Sequence, residues 1–156
     1  MKITIRKAII GDLKAIQDLN HKLFLWDYNR DSNLNINWPY QEAGESYFKR
    51  RITGEHGVCF VAELNGYIVG YVAGSVKKEI DKPDTILRSE LENIYVEESS
   101  RSMGAGTLLT QALVEWCRLN GAKNILVSAY HGNKDAIHFY ESAGFRPYAV
   151  KLEKDL

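Results

Sequence analysis

Apolar and polar residues alternate over Lys2 to Arg6, with Ile3 and Ile5 on one face, and this predicts a first strand. Past Asp12, read as an N-cap, Leu13, Ile16, Leu19 and Leu23 recur at helical spacing and predict a first helix. Residues 26–40 (WDYNRDSNLNINWPY) break that period with Asn, Asp and Pro, so they read as a long loop before a second helix over about 40–52. Val58 to Leu64 and Tyr67 to Val76 are β-rich runs joined by Asn65-Gly66, the pair that a type I′ hairpin turn favours. After a polar turn (KKEIDKPD), Thr85 to Val96 reads as a further strand.

Gly106 to Asn120 is amphipathic, with Leu108, Leu109, Ala112, Leu113 and Trp116 as the apolar stripe and Gly121 as the stop. Asn124 to Ala129 reads as a buried strand. Asn133 caps a short helix through Ser142 that Gly144 ends, and Tyr148 to Leu152 reads as a last strand. The order β-α-α-β-β-β-α-β-α-β, without repeats or low-complexity linkers, predicts a mixed α/β sheet in a single domain over residues 1–156.

Composition narrows the function classes. The 156 residues carry 20 Lys plus Arg against 20 Asp plus Glu. A formally neutral chain lacks the basic excess of a nucleic-acid binder or of an electrostatically held membrane protein. Cys59 and Cys117 each lie in an apolar segment, there is no CxxC pair, and the four His are scattered, so no metal site is expected. The opening MKITIRKAIIGDLK is too charged for a secretory signal, and no run nears the roughly 20 apolar residues of a membrane span. A soluble, cytoplasmic protein is expected.

The stretch richest in chemistry runs from Ile94 to Leu109: strand, then EESSRSMGAG, then helix. Gly104 and Gly106 sit at the junction, where missing Cβ atoms let a ligand approach the backbone. The first amides of a helix are unpaired and lie at the positive end of its dipole, so such a junction suits a phosphate. Arg101 adds a positive charge, while a turn that needs glycine only for geometry remains the alternative. No Lys follows Gly106, which excludes a Walker loop, and Leu109 stands where a dinucleotide fingerprint needs its third glycine.

Leu91-Glu92-Asn93-Ile94-Tyr95-Val96 followed by Arg101-x-x-Gly104-x-Gly106 resembles the strand and pyrophosphate loop of the GNAT superfamily of acetyl-CoA-dependent N-acetyltransferases. Asn133-x-x-Ala136-x-x-Phe139-Tyr140-Glu141-x-x-Gly144-Phe145 is similar to the family's next helix and turn. The resemblance is tight over 85–152 and topological before it, and it implies a mostly antiparallel sheet flanked by helices. Glu98 and Ser102 depart from the Pro and the Gly or Arg that many relatives carry there.

The resemblance also implies roles. Amides of Arg101, Ser102, Met103, Gly104, Ala105, Gly106 and Thr107 would cradle the pyrophosphate of acetyl-CoA. Tyr95 and Val96 would pair with its pantetheine arm, and the Val96 amide would face the thioester oxygen. Tyr140 would protonate the leaving thiolate, with core packing as the alternative; Asn133 would bond the pantetheine amides, act as an N-cap, or both. Phe139 is taken as packing.

Glu92 is the candidate base, because simple alternation puts it on the face of Val96; a plain ion pair is the alternative. Trp26, Asp27 and Tyr28, with other aromatics and acids of the long loop, would suit a cationic amine, or else merely cover the sheet edge. The expected partner is a primary amine of a small molecule or peptide, with a homodimer as the family's frequent state. A non-catalytic acyl-CoA-binding module on the same scaffold is the competing reading, and a nucleotide-binding module is a third.

Overall fold

The computed structural model describes residues 2–54 and 56–156. In chain order the elements are β1 (Thr4–Lys7), α1 (Leu13–Asp27), α2 (Glu42–Thr53), β2 (Gly57–Leu64), β3 (Tyr67–Lys78), β4 (Leu87–Val96), α3 (Ala105–Leu119), β5 (Ala122–Val127) and α4 (Lys134–Ser142). The five strands form one sheet in sequence order, antiparallel throughout except for the parallel pair β4–β5. Asn65 (φ 52°) and Gly66 (φ 81°) both take the left-handed conformation that the predicted hairpin requires.

Side chains alternate across the sheet and supply two cores. On one face Val58, Ala62, Val72 and Leu91 pack with Ala105, Leu109, Leu113 and Cys117 of α3. On the other, Cys59, Val61, Tyr71 and Ala73 meet Ile16 and Leu19 of α1 and Phe48 of α2. Both cysteines are buried, free thiols.

The buried row of α3 is therefore Ala105, Leu109, Leu113 and Cys117, while Leu108 is exposed and Trp116 only half-buried. The expected stripe is turned by one position because the helix sits so close to β3. A Cβ on Gly70 would lie 3.4 Å from Leu109 Cδ1, and one on Gly74 would lie 2.6 Å from Leu113 Cδ1. Two glycines four apart on the strand thus receive two leucines four apart on the helix.

Three boundaries differ from the pattern. Trp26 and Asp27, expected in the loop, are the last residues of α1. Asp12 precedes α1 but does not cap it; its carboxylate takes the Ile9 amide at 2.8 Å and both terminal nitrogens of Arg6 at 2.7 and 3.0 Å. The strand expected at Tyr148–Leu152 is absent, and Tyr148, Val150 and Leu152 are 63%, 85% and 93% exposed. Alternation makes a strand possible, but only a hydrogen-bonded neighbour makes it one, and this segment has none among the described residues. Among the described residues no helix is long and apolar enough to cross a membrane.

Candidate functional site

The site begins where two strands part. β5 pairs with β4 only as far as Leu91↔Val127, whereas β3 stays paired with β4 up to Val96. Residues 92–96 consequently present a bare edge to an opening between β4 and β5. The Glu97 amide donates to the Val69 carbonyl at 2.8 Å, toward β3. Alternation turns the Val96 N–H and C=O the other way, into the opening. The Val96 carbonyl there accepts a 3.0 Å hydrogen bond from Arg101 Nε.

At the end of that edge the chain enters α3 through Ser102 (φ 64°) and Gly104 (φ 83°), both left-handed. Among the described residues, no N–H from Ser102 through Thr107 has an acceptor; the first helical bond of α3 is Leu108 N–H to Gly104 O at 3.0 Å. Six unpaired amides at the positive end of a 15-residue helix can cradle an anion.

The Arg101 amide is not part of it, because it donates to Glu98 O at 3.2 Å and closes a short 3-10 turn. The cradle therefore starts one residue later than the sequence suggested. Nor does the Arg101 guanidinium stand free at the mouth. It lies 5.4 Å from the ring centroids of both Trp26 and Tyr95, tying the end of α1 to the end of β4. The acids beside the cradle are countered: Glu97 pairs with Lys22, and Glu98 lies 3.9 Å from Arg101.

Helix α4 closes one side. A Cβ on Gly106 would meet Phe139 Cε2 and Cζ at 3.4 Å, so Phe139 packs on the first turn of α3 as expected. Tyr140 stacks edge-on between Phe139 and Phe145, with centroids at 5.4 and 5.6 Å. Its hydroxyl has no hydrogen-bond partner among the described residues. Burial, and then the charge of Asp27, push that phenol up to about 12. Asn133 caps α4, its Oδ1 accepting from the Ala136 amide at 3.2 Å, which leaves its amide NH2 free to donate.

Opposite α4, the half-buried Asp27 ends α1 between the exposed Trp26 and Tyr28. Burial raises its carboxyl above the usual range despite Arg30 at 3.8 Å. Across the opening, the Tyr130 hydroxyl donates to Asp31 at 3.3 Å and links the loop after β5 to the loop after α1.

Glu92 is elsewhere. Ala73 pairs with Asn93 and Gly74 with Leu91, so Glu92 is the extra residue of a β-bulge. The bulge turns both Glu92 and Asn93 toward α2, while Ile94 and Val96 pack on the α3 side. Glu92 thus does not share the face of Val96, and the alternation argument fails at that one residue.

Its carboxylate is also full. Arg51 grips it with Nε to Oε2 at 2.7 Å and Nη2 to Oε1 at 2.8 Å, Ser75 donates at 2.7 Å, and the Tyr47 hydroxyl donates as well. Burial pushes its pKa up, but these hydrogen bonds outweigh it and hold the group below the ordinary value. Asn93 adds a bond to the Tyr47 oxygen at 2.9 Å, while its own Oδ1 is buried without a partner.

Sequence reasoning missed Tyr47, Arg51, Ser75 and Asn93. The nearest signal is Gly57, where a Cβ would lie 2.5 Å from Arg51 Cδ, so its absence opens the path of that side chain. Among the described residues no group of His, Cys, Asp and Glu could hold a metal ion.

Residues 17–145 match the model of the acetyltransferase (GNAT) family. An uncharacterized N-acetyltransferase of Methanocaldococcus jannaschii is 32% identical over 67% of this chain, which spans 46% of that relative's length. An N-alpha-acetyltransferase of Sulfurisphaera tokodaii is 26% identical over 94% of this chain and 81% of its own. A solved structure of the aminoglycoside N-acetyltransferase AAC(6')-Iy, in complex with the bisubstrate analog CoA-S-monomethyl-acetylneamine, superposes with a TM-score of 0.77 at 18% identity over all of both chains. A bare strand edge leading into unpaired helix-start amides, with a family match across most of the chain, identifies this protein as an acetyltransferase of the GNAT family.

Proposed function

We propose that this acetyltransferase moves an acetyl group from acetyl-CoA to a primary amine of a small molecule or peptide, by direct attack while both are bound. The observation that carries the reading is the continuity of the bare edge of β4 with the unpaired amides of 102–107. Acetyl-CoA, when bound, supplies an activated carbonyl and a thiol leaving group. The amides of Ser102 through Thr107 would hold its pyrophosphate. The edge at Tyr95 and Val96, with the free amide of Asn133, would align its arm like an added strand.

The remaining steps belong to side chains around the opening. Asp27 would draw in the ammonium form of the amine and take up its proton; burial of the carboxyl raises its affinity for that proton. Trp26 and Tyr28 would flank the cation. The freed amine nitrogen attacks the carbonyl carbon, and the Val96 N–H stabilises the oxyanion that develops. As the C–S bond breaks, the Tyr140 hydroxyl gives its proton to the sulfur, the new amide nitrogen sheds its second proton to solvent, and the Tyr140 oxygen is reprotonated from solvent. A phenol near 12 is fully protonated at neutral pH, as a donor must be.

Because its four hydrogen bonds occupy both oxygens, Glu92 serves this reading better as the anchor that holds Tyr47, and through it Asn93, than as the base. The fold likeness to an aminoglycoside N-acetyltransferase and the likeness to an N-alpha-acetyltransferase make aminoglycosides and peptide N-termini the first acceptors to try. The test is release of free thiol from acetyl-CoA across polyamines, aminoglycosides, amino acids and peptides. Turnover with any amine supports the reading. Saturable CoA binding without turnover on the whole panel would favour a binding module instead.

A further inference from the structure

Every residue from 146 to 156 is exposed, and beyond Phe145 no backbone group of the segment makes a hydrogen bond among the described residues. Tyr148 anchors it near its start. Its hydroxyl accepts from Arg88 Nη1 at 3.3 Å, the Arg88 guanidinium lies 4.9 Å from its ring centroid, and Arg88 Nε bonds Asn124 of β5 at 2.9 Å. The tail thus leaves the body of the protein level with Asn124. Neither Lys151 nor Lys154 has a partner among the described residues.

The opening between β4 and β5 starts past Val127, and Tyr130 stands on its rim, bonded to Asp31 at 3.3 Å. Tyr130 lies six residues after Asn124, and Lys154 lies six residues after Tyr148. Extended chain covers about 20 Å in six residues, so the tail is long enough to bring Lys154 to the opening. Glu153 shows that it runs that way. Burial raises the Tyr130 phenol first, and the charges of Asp31, Asp27 and Glu153 add to it, which puts Glu153 near the two aspartates. Asp27 and Asp31 at this rim are opposite in sign to the lysine ammonium that follows Glu153.

We propose that Lys154 is an acetylation site of this chain, modified in cis at the chain's own opening. The inference rests on the acetyl-transfer reading and names one amine for it. The Lys154 ammonium gives a proton to Asp27, and its nitrogen attacks the carbonyl carbon of acetyl-CoA. A C–N bond forms, the C–S bond breaks, and the Tyr140 proton goes to the sulfur. The amide nitrogen and Asp27 each release a proton to solvent, and Tyr140 recovers one from it. The balance is lysine ammonium plus acetyl-CoA giving acetyl-lysine, CoA thiol and one proton. Acetylation removes the charge that draws the side chain toward Asp27 and Asp31, so the modified tail leaves the site.

The full chain is incubated with acetyl-CoA alone, and acetylation of each lysine is followed by peptide mass spectrometry over a wide range of protein concentration. Lys78 and Lys123, exposed and at the end of the sheet away from the opening, report the uncatalysed rate. The expected result is modification of Lys154 at least about tenfold faster than either, at a rate independent of protein concentration. Lys154→Arg, at an exposed position, should remove the modification and leave turnover of added amines. Tyr148→Ser, which frees the 63% exposed anchor, should slow modification several-fold. Lys154 modified no faster than Lys78, a rate that rises with protein concentration, or a Tyr148→Ser chain modified as fast as the native one would overturn the proposal. Turnover on the amine panel beside an unmodified Lys154 removes this inference alone, whereas silence of both removes the acetyl-transfer reading with it.

Discussion

Arg51 of α2 and Glu92 of β4 are joined by two parallel hydrogen bonds of 2.7 and 2.8 Å. The guanidinium passes over Gly57, lies 5.0 Å over the Tyr47 ring, and meets the carboxylate at the bulge of β4. Planar, bidentate geometry is the strong form of an ion pair, and both side chains are mostly shielded, at 16% and 15% exposure. The pair sets the position of α2 on the sheet and orders the hydroxyl and amide groups around it.

Removing one partner leaves the other charge stranded. Arg51→Met should cost about 3 kcal/mol of stability, the usual scale for breaking a shielded pair. Adding Glu92→Met to that variant should recover much of the loss. Urea titrations of the two single variants and the double variant check this.

Acid should loosen the fold at the Glu92 carboxylate and at Asp12. Glu92 and Asp12 both have folded-state pKa values below their ordinary ones: burial opposes the shift at Glu92, and Arg6 leads it at Asp12. A depressed carboxylate contributes stability above its unfolded pKa and loses it as pH falls through the folded value. The urea midpoint should therefore hold at neutral pH and decline below about pH 4. Glu92→Gln should show a shallower acid decline than the native chain.

Gly74→Ala should destabilise by about 2 kcal/mol, because the new methyl would lie 2.6 Å from Leu113 Cδ1 and 2.7 Å from the Glu90 carbonyl. Gly70→Ala meets its nearest atom at 3.0 Å and should cost less. Thermal melts of the two variants rank them.

Gly104→Ala tests the cradle. Nothing lies within 4 Å of the added methyl, so the penalty is that of a left-handed backbone at φ 83°, about 1 kcal/mol. The loop should relax away from that conformation, and calorimetry should find weaker CoA binding with the melting temperature little changed.

Tyr140→Phe should lower turnover about a hundredfold or more while CoA affinity stays within a few-fold. Since the phenol titrates near 12, the native rate should show no loss from Tyr140 on the alkaline side below about pH 11. Equal, small effects on rate and affinity would remove Tyr140 from the acid role.

Asn65-Gly66, the alternation of β2 and β3, the glycine junction before α3 and the Asn133 cap were all legible in the chain. Each is decided by neighbours within a few residues: a positive φ, a period of two, a first-turn amide. Three features were decided only by contacts between distant segments. The bulge at Glu92 depends on how β3 and β4 pair, and one inserted residue reverses which face a carboxylate occupies. The grip of Arg51 on that carboxylate joins residues 41 apart along the chain, and nothing local marks either as the other's partner. The state of Tyr148–Leu152 depends on whether an edge lies beside it, for a ladder is a property of two strands and alternation of only one.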